Sequence, residues 1–80
     1  MVTGPASTTV QVTAVHENAM LTRIAALLGQ HDVDHFSYRL TADGRAHAVV
    51  GVRGDAWQVT RVAARLARVV GVLDVLVEAC

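Results

Sequence analysis

Apolar and polar residues alternate from Thr9 to Val15. Val10, Val12 and Ala14 face one way and Gln11 and Thr13 the other, the pattern of a half-buried strand. After the polar segment His16-Glu17-Asn18 the period changes: Met20, Ile24, Leu27 and Leu28 recur at helical spacing, which predicts a helix from Ala19 to about Gln30 with Asn18 as its N-cap. Gly29 and Asp32 mark its end. Alternation returns from Asp34 to Thr41, with Phe36, Tyr38 and Leu40 on one side and His35, Ser37 and Arg39 on the other. It resumes from Arg45 to Arg53, with Ala46, Ala48, Val50 and Val52 on one face.

The turn between these two strands can be chosen by parity, because a one-residue slip sends every side chain to the wrong face. A two-residue Asp43-Gly44 turn would set Leu40 against His47 and Phe36 against Gly51. A three-residue loop, Ala42-Asp43-Gly44, sets Leu40 against Ala46, Tyr38 against Ala48 and Phe36 against Val50, with Gly44 in the left-handed position. Large side chains then lie beside small ones.

Beyond Gly54, Asp55 can cap a second helix and Gln58 can reach back as in a capping box. Val59, Val62, Leu66 and Val69 or Val70 form its apolar stripe, and Arg61, Arg65 and Arg68 read as its solvated side. After Gly71 a last strand places Leu73, Val75 and Val77 inward and Asp74 and Glu78 outward. The order strand, helix, strand, strand, helix, strand is that of an α+β, ferredoxin-like βαββαβ domain: a four-stranded antiparallel sheet with both helices on one face. The open face should carry Gln11, Thr13, Ser37, Arg39, His47, Val49, Asp74 and Leu76.

Eighty residues make one domain, expected over residues 9–80 behind a loose N-terminal tail, residues 1–8 (MVTGPAST). A chain of this length buries only roughly 60 to 65% of its unfolded surface, so it gains from a partner subunit. With 52% hydrophobic but 4% aromatic residues, the core must be built from Val, Ala and Leu, which leaves no base-stacking surface. Seven arginines balance seven carboxylates, so there is no electrostatic footprint for nucleic acid. Neither a membrane-spanning run nor a signal peptide is present, and the single cysteine, Cys80, fits a reducing cytoplasm.

The candidate chemistry is sparse. His16, His31, His35 and His47 show no metal-ligand spacing, and neither Ser7 nor Ser37 sits in a nucleophile motif. Asp32 and Asp34 read as a solvated turn, and no glycine-rich phosphate loop occurs. A non-enzyme without a cofactor or metal is the expectation. The strand-to-helix corner stands apart, since free amides at a helix N-terminus suit a carboxylate.

The stretch HENAMLTRIAALLGQHDVDHFSY, the segment VVGVLDV from Val69 to Val75 and the element order resemble an ACT domain, the small-molecule-sensing module of amino-acid metabolism. Within that superfamily they are most similar to the regulatory small subunit of acetolactate synthase, whose corner reads Asn-Glu-x-Gly-x-Leu-x-Arg-Val; His16, Glu17, Ala19, Leu21, Arg23 and Ile24 occupy the matching positions. The resemblance implies an effector site at His16, Glu17, Asn18, Ala19, Met20 and Leu21, completed by Asp32 and Asp34 of a neighbouring chain. It also implies a stand-alone regulatory or activating subunit in branched-chain amino-acid biosynthesis. Its partners would be a second copy, a catalytic enzyme subunit and a small amino acid, with neither nucleic acid nor membrane among them. The alternative is an assembly module of the same fold with no small ligand. Ala19 replaces the family glycine that lets a ligand approach the backbone, His16 replaces the asparagine that holds it, Asp32 replaces a second glycine, and Asp34 replaces an asparagine that reaches across the dimer.

Overall fold

A computed structural model describes residues 7–78, so Cys80 and residues 1–6 of the expected tail lie outside the described residues. The elements are β1 (Ser7–Val15), α1 (Met20–Leu28), β2 (Val33–Leu40), β3 (Arg45–Arg53), α2 (Ala56–Ala67) and β4 (Val72–Glu78). They form one antiparallel sheet of order β2-β3-β1-β4, the ferredoxin-like arrangement expected from the sequence. β1 takes in Ser7 and Thr8, which pair with Arg53 and Val52.

The core lies between the sheet and the two helices. Val10, Val12, Ala14, Ala46, Ala48, Val50 and Val52 meet Met20, Ile24 and Leu28 of α1 and Val59, Val62 and Leu66 of α2, each at most 5% exposed. Phe36 and Tyr38 are only partly buried against it, so apolar packing rests on branched aliphatic side chains. The hairpin has the parity-matched register: Leu40 pairs with Ala46, Tyr38 with Ala48 and Phe36 with Val50, and Gly44 turns the chain at φ 81°. Asp55 caps α2 by accepting the Gln58 N–H at 3.0 Å, while the Gln58 side chain folds back over Gly54. Val69 packs on the core and Val70 is 78% exposed, which settles the end of the α2 stripe.

Both edge strands depart from simple alternation by one bulge. Uninterrupted alternation in β2 would give Asp34 the inward parity of Phe36, Tyr38 and Leu40, burying a carboxylate. Instead the ladder steps from Val33↔Val52 to His35↔Gly51. Asp34 is the extra residue, Val33 packs against the core in its stead, and the Asp34 carboxylate sits where a Cβ on residue 51 would lie. In β4 the ladder steps from Thr13↔Asp74 to Ala14↔Val72, so the expected inward position of Leu73 passes to Val72 and Leu73 is 53% exposed. Bulges of this kind re-aim side chains and protect sheet edges.

Two helix termini also differ from expectation. The Met20 N–H donates to the Glu17 carbonyl at 3.0 Å, and this tight turn moves the α1 N-cap from Asn18 to Ala19, with no side chain capping it. Gly29 closes α1 in a right-handed conformation, and no described non-glycine residue, Asp32 included, has a positive φ. Truncating Leu66 to Ala should therefore cost about 2 to 5 kcal/mol through loss of buried volume, whereas Leu73→Ala should cost under about 1 kcal/mol. Urea denaturation of both variants checks this, and equal losses would place Leu73 inside.

Candidate functional site

The corner between β1 and α1 is held by backbone bonds to two turns. The Val15 N–H donates to the Gly71 carbonyl at 2.8 Å, and the His16 N–H to the Gly44 carbonyl at 3.2 Å. His16 Nδ1 lies 3.2 Å from the Tyr38 hydroxyl, with the two rings tilted at 54°. Burial, aided by the Glu17 charge, pushes the Tyr38 hydroxyl above its ordinary pKa, so it keeps its proton at neutral pH. Glu17 Oε1 accepts from Arg23 Nη1 at 2.7 Å in an exposed pair, a contact worth about 0 to 1 kcal/mol.

Of the remaining corner residues, Asn18 and Ala19 are exposed, Leu21 is half-exposed, and Met20 is fully buried with its methyl group against Gly71. Ala19 has φ −88°, so the backbone requires no glycine there; what the side chain adds is a Cβ at the start of the helix. The corner is thus brought together, although its two ionisable side chains already have intrachain contacts.

Asp32 and Asp34 lie elsewhere. The Asp32 carbonyl accepts the Arg53 N–H at 2.9 Å, and Asp34 is the bulge residue over Gly51. Tyr38, which carries His16, stands four residues further along β2 than Asp34, roughly 13 Å at about 3.3 Å per residue. A single chain therefore does not assemble the eight candidate residues.

A second feature escaped the sequence reading. Between the end of α1, the end of β3 and the start of α2 lies a cleft of about 310 Å³, floored by Val52 and Val62 and rimmed by Asp32, Arg53, Arg61 and Arg65. Arg65 is not on a solvated stripe. Its Nη2 donates to Gln30 Oε1 at 3.1 Å, and its Nη1 lies 3.3 Å from His31 Nε2. Arg61 lies 5.4 Å from the centre of the Trp57 ring, which is itself 65% exposed. Because Arg can only donate, His31 Nε2 accepts and the imidazole is neutral. Burial, then the charges of Arg65 and Arg61, hold its pKa below the ordinary value. The available signals were the polar pair Gln30-His31 just past a helix and Trp57 four residues before Arg61. Among the described residues no group of three or more His, Cys, Asp and Glu side chains is placed to hold a metal ion, and no helix is long and apolar enough to cross a membrane.

No protein-family model and no curated protein matches the sequence. Solved structures do match the fold. The crystal structure of the ACT domain from GTP pyrophosphokinase of Chlorobium tepidum aligns with 92% of this chain and 99% of its own, at a TM-score of 0.77 and 14% identity. The solution structure of that domain aligns at 0.79 over 92% of this chain and 86% of its own, with 16% identity. The solution structure of the C-terminal domain of the MgtC protein from Mycobacterium tuberculosis aligns at 0.80 over 100% and 93%, also with 16% identity. The chain thus has the fold of ACT domains, and these neighbours carry no information about acetolactate synthase.

The neutral His31 makes stability depend on pH. Its folded pKa lies below the unfolded value of about 6.5, so the unfolded chain takes up the proton first as pH falls. His31 costs nothing well above that value and destabilises the fold progressively below it. His31→Gln keeps an acceptor for Arg65 but does not titrate. Between pH 7.5 and pH 5.5 the urea midpoint of the parent should fall further than that of the variant, and parallel declines would contradict the assignment.

Proposed function

We propose that this chain is a non-catalytic regulatory module of the ACT type, which works as a pair of identical chains and docks on a catalytic subunit. The observation that carries the reading is the likeness to ACT domains across 92% of the chain. The corner sequence, with Glu17, Leu21, Arg23 and Ile24 at the matching positions, supports a thiamine-dependent acetolactate synthase of branched-chain amino-acid biosynthesis as the catalytic partner.

The sheet supports a route to pairing. β2 is an edge strand, and two β2 strands paired antiparallel about a two-fold axis bring the beginning of one beside the end of the other. Asp32 to His35 of one chain would then approach the His16 to Met20 corner of its partner. An exposed edge with open hydrogen-bonding groups favours this mode.

The same geometry argues for weak effector binding. The uncapped first turn of α1 attracts a carboxylate, worth about 0.3 to 1 kcal/mol. Against that, Ala19 presents a Cβ and the neighbouring chain would offer the Asp34 carboxylate where a neutral amide is needed. The existing His16–Tyr38 and Glu17–Arg23 contacts favour the second reading, an assembly module with no small ligand.

Light scattering at high micromolar concentration should give twice the monomer mass, and the added protein should change the rate of an acetolactate synthase catalytic subunit from the same source. A monomer that leaves the rate unaltered would overturn the proposal. Calorimetry with valine, leucine and isoleucine at millimolar concentration should show no heat for the parent, with affinity appearing in the Ala19→Gly, Asp34→Asn double variant. Heat from the parent at micromolar ligand would mean that His16 replaces the family asparagine. A silent double variant would leave assembly as the role.

A further inference from the structure

We infer that the cleft between the segment following α1, the end of β3 and α2 is a binding site for a small phosphate monoester, separate from the β1–α1 corner. The first argument is charge. The chain as a whole is neutral, with seven arginines and seven carboxylates, yet the residues lining this cleft include three arginines and one aspartate. Concentrating like charges costs free energy unless something of opposite sign compensates, and a bound dianion would do so.

The second argument is preorganisation. Arg65 is partly buried and held at two points by uncharged partners, Gln30 Oε1 at 3.1 Å and His31 Nε2 at 3.3 Å. These bonds orient the guanidinium without neutralising it and use two of its five N–H donors. Neutral His31 is an acceptor that fixes Arg65 in place, a positioning residue rather than a contact. Much of the side-chain entropy that an arginine loses on gripping an anion is thus lost already on folding.

The third argument is shape. Arg53 approaches from the end of β3, and Arg61 and Arg65 come from successive turns of α2, so the guanidinium groups line the cleft from more than one side. Several arginine forks lining one cleft suit a tetrahedral group with several terminal oxygens better than a flat carboxylate. The volume of about 310 Å³ lies at the small end of the range for ligand pockets, and its floor of Val52 and Val62 is apolar. Trp57, also in the lining and 65% exposed, offers a ring surface for the organic part of the ester.

Trp57 is the only tryptophan, so its fluorescence reports directly on the cleft. Full-length protein should be titrated with phenyl phosphate, inorganic phosphate and sodium benzoate, with sodium chloride at matched ionic strength as control. A saturable change is expected with phenyl phosphate, a weaker one with phosphate, and none with chloride. Arg65→Gln and Arg61→Gln should each weaken phenyl phosphate binding at least about tenfold, the loss of one hydrogen-bonded charge contact. Amide chemical shifts of the parent should move at residues 30–32, 53 and 57–65. This keeps the test decisive if a variant fails to fold. A response matched by chloride, benzoate binding as tightly as phenyl phosphate, or shifts confined to residues 16–21 would overturn the proposal. Failure here would leave the ACT-type reading untouched, since that reading rests on the fold and the corner sequence.

Discussion

Nine consecutive antiparallel pairs join β1 to β3, and everything else in the domain is placed by that ladder. It sets Val10 against Val50, Val12 against Ala48 and Ala14 against Ala46 on the face that both helices cover. Small and β-branched side chains there let α1 and α2 pack without any fully buried aromatic ring. The outer strands must conform to this register. Where their own alternation conflicts with it, they bulge: Asp34 leaves the core in favour of Val33, and Leu73 in favour of Val72. Keeping the Asp34 carboxylate out of an apolar core avoids a penalty of several kcal/mol.

That arrangement separates two regions of opposite character. At one end, Gly71 and Gly44 tie down the β1–α1 corner, and the polar side chains there contact one another in exposed pairs. At the other end, the segment following α1, the end of β3 and α2 surround a cleft in which Arg65 is fixed by neutral partners. Asp34, the bulge residue at the start of edge strand β2, sets its carboxylate over Gly51.

The period-two and period-3.6 patterns carried the six elements, their order and the hairpin register, because the inward residues from Phe36 to Leu40 and from Ala46 to Val52 are apolar and a two-residue turn would set Leu40 against His47. Alternation could not reveal the bulges, which depend on the pairing partner and not on the strand itself. The N-cap of α1 was missed because the Glu17–Met20 turn is a backbone bond that any sequence can form. The corner was legible as a polar break between two patterns, although Met20 within it proved to be core. The cleft was not legible. Arg61 and Arg65 fall on the polar side of α2 whether they face water or a neighbouring helix, and only the chain's return past Gln30 and His31 distinguishes the two.

We propose that the β2 edge, with the corner at one end and Asp34 at the other, is the surface on which two chains meet. Isotope-filtered NMR on an equimolar mixture of labelled and unlabelled protein observes only contacts between chains. Cross-chain signals linking Asp34 and His35 of one copy to His16 and Tyr38 of the other are expected. Cross-chain signals confined to β4 or to the helices would contradict it.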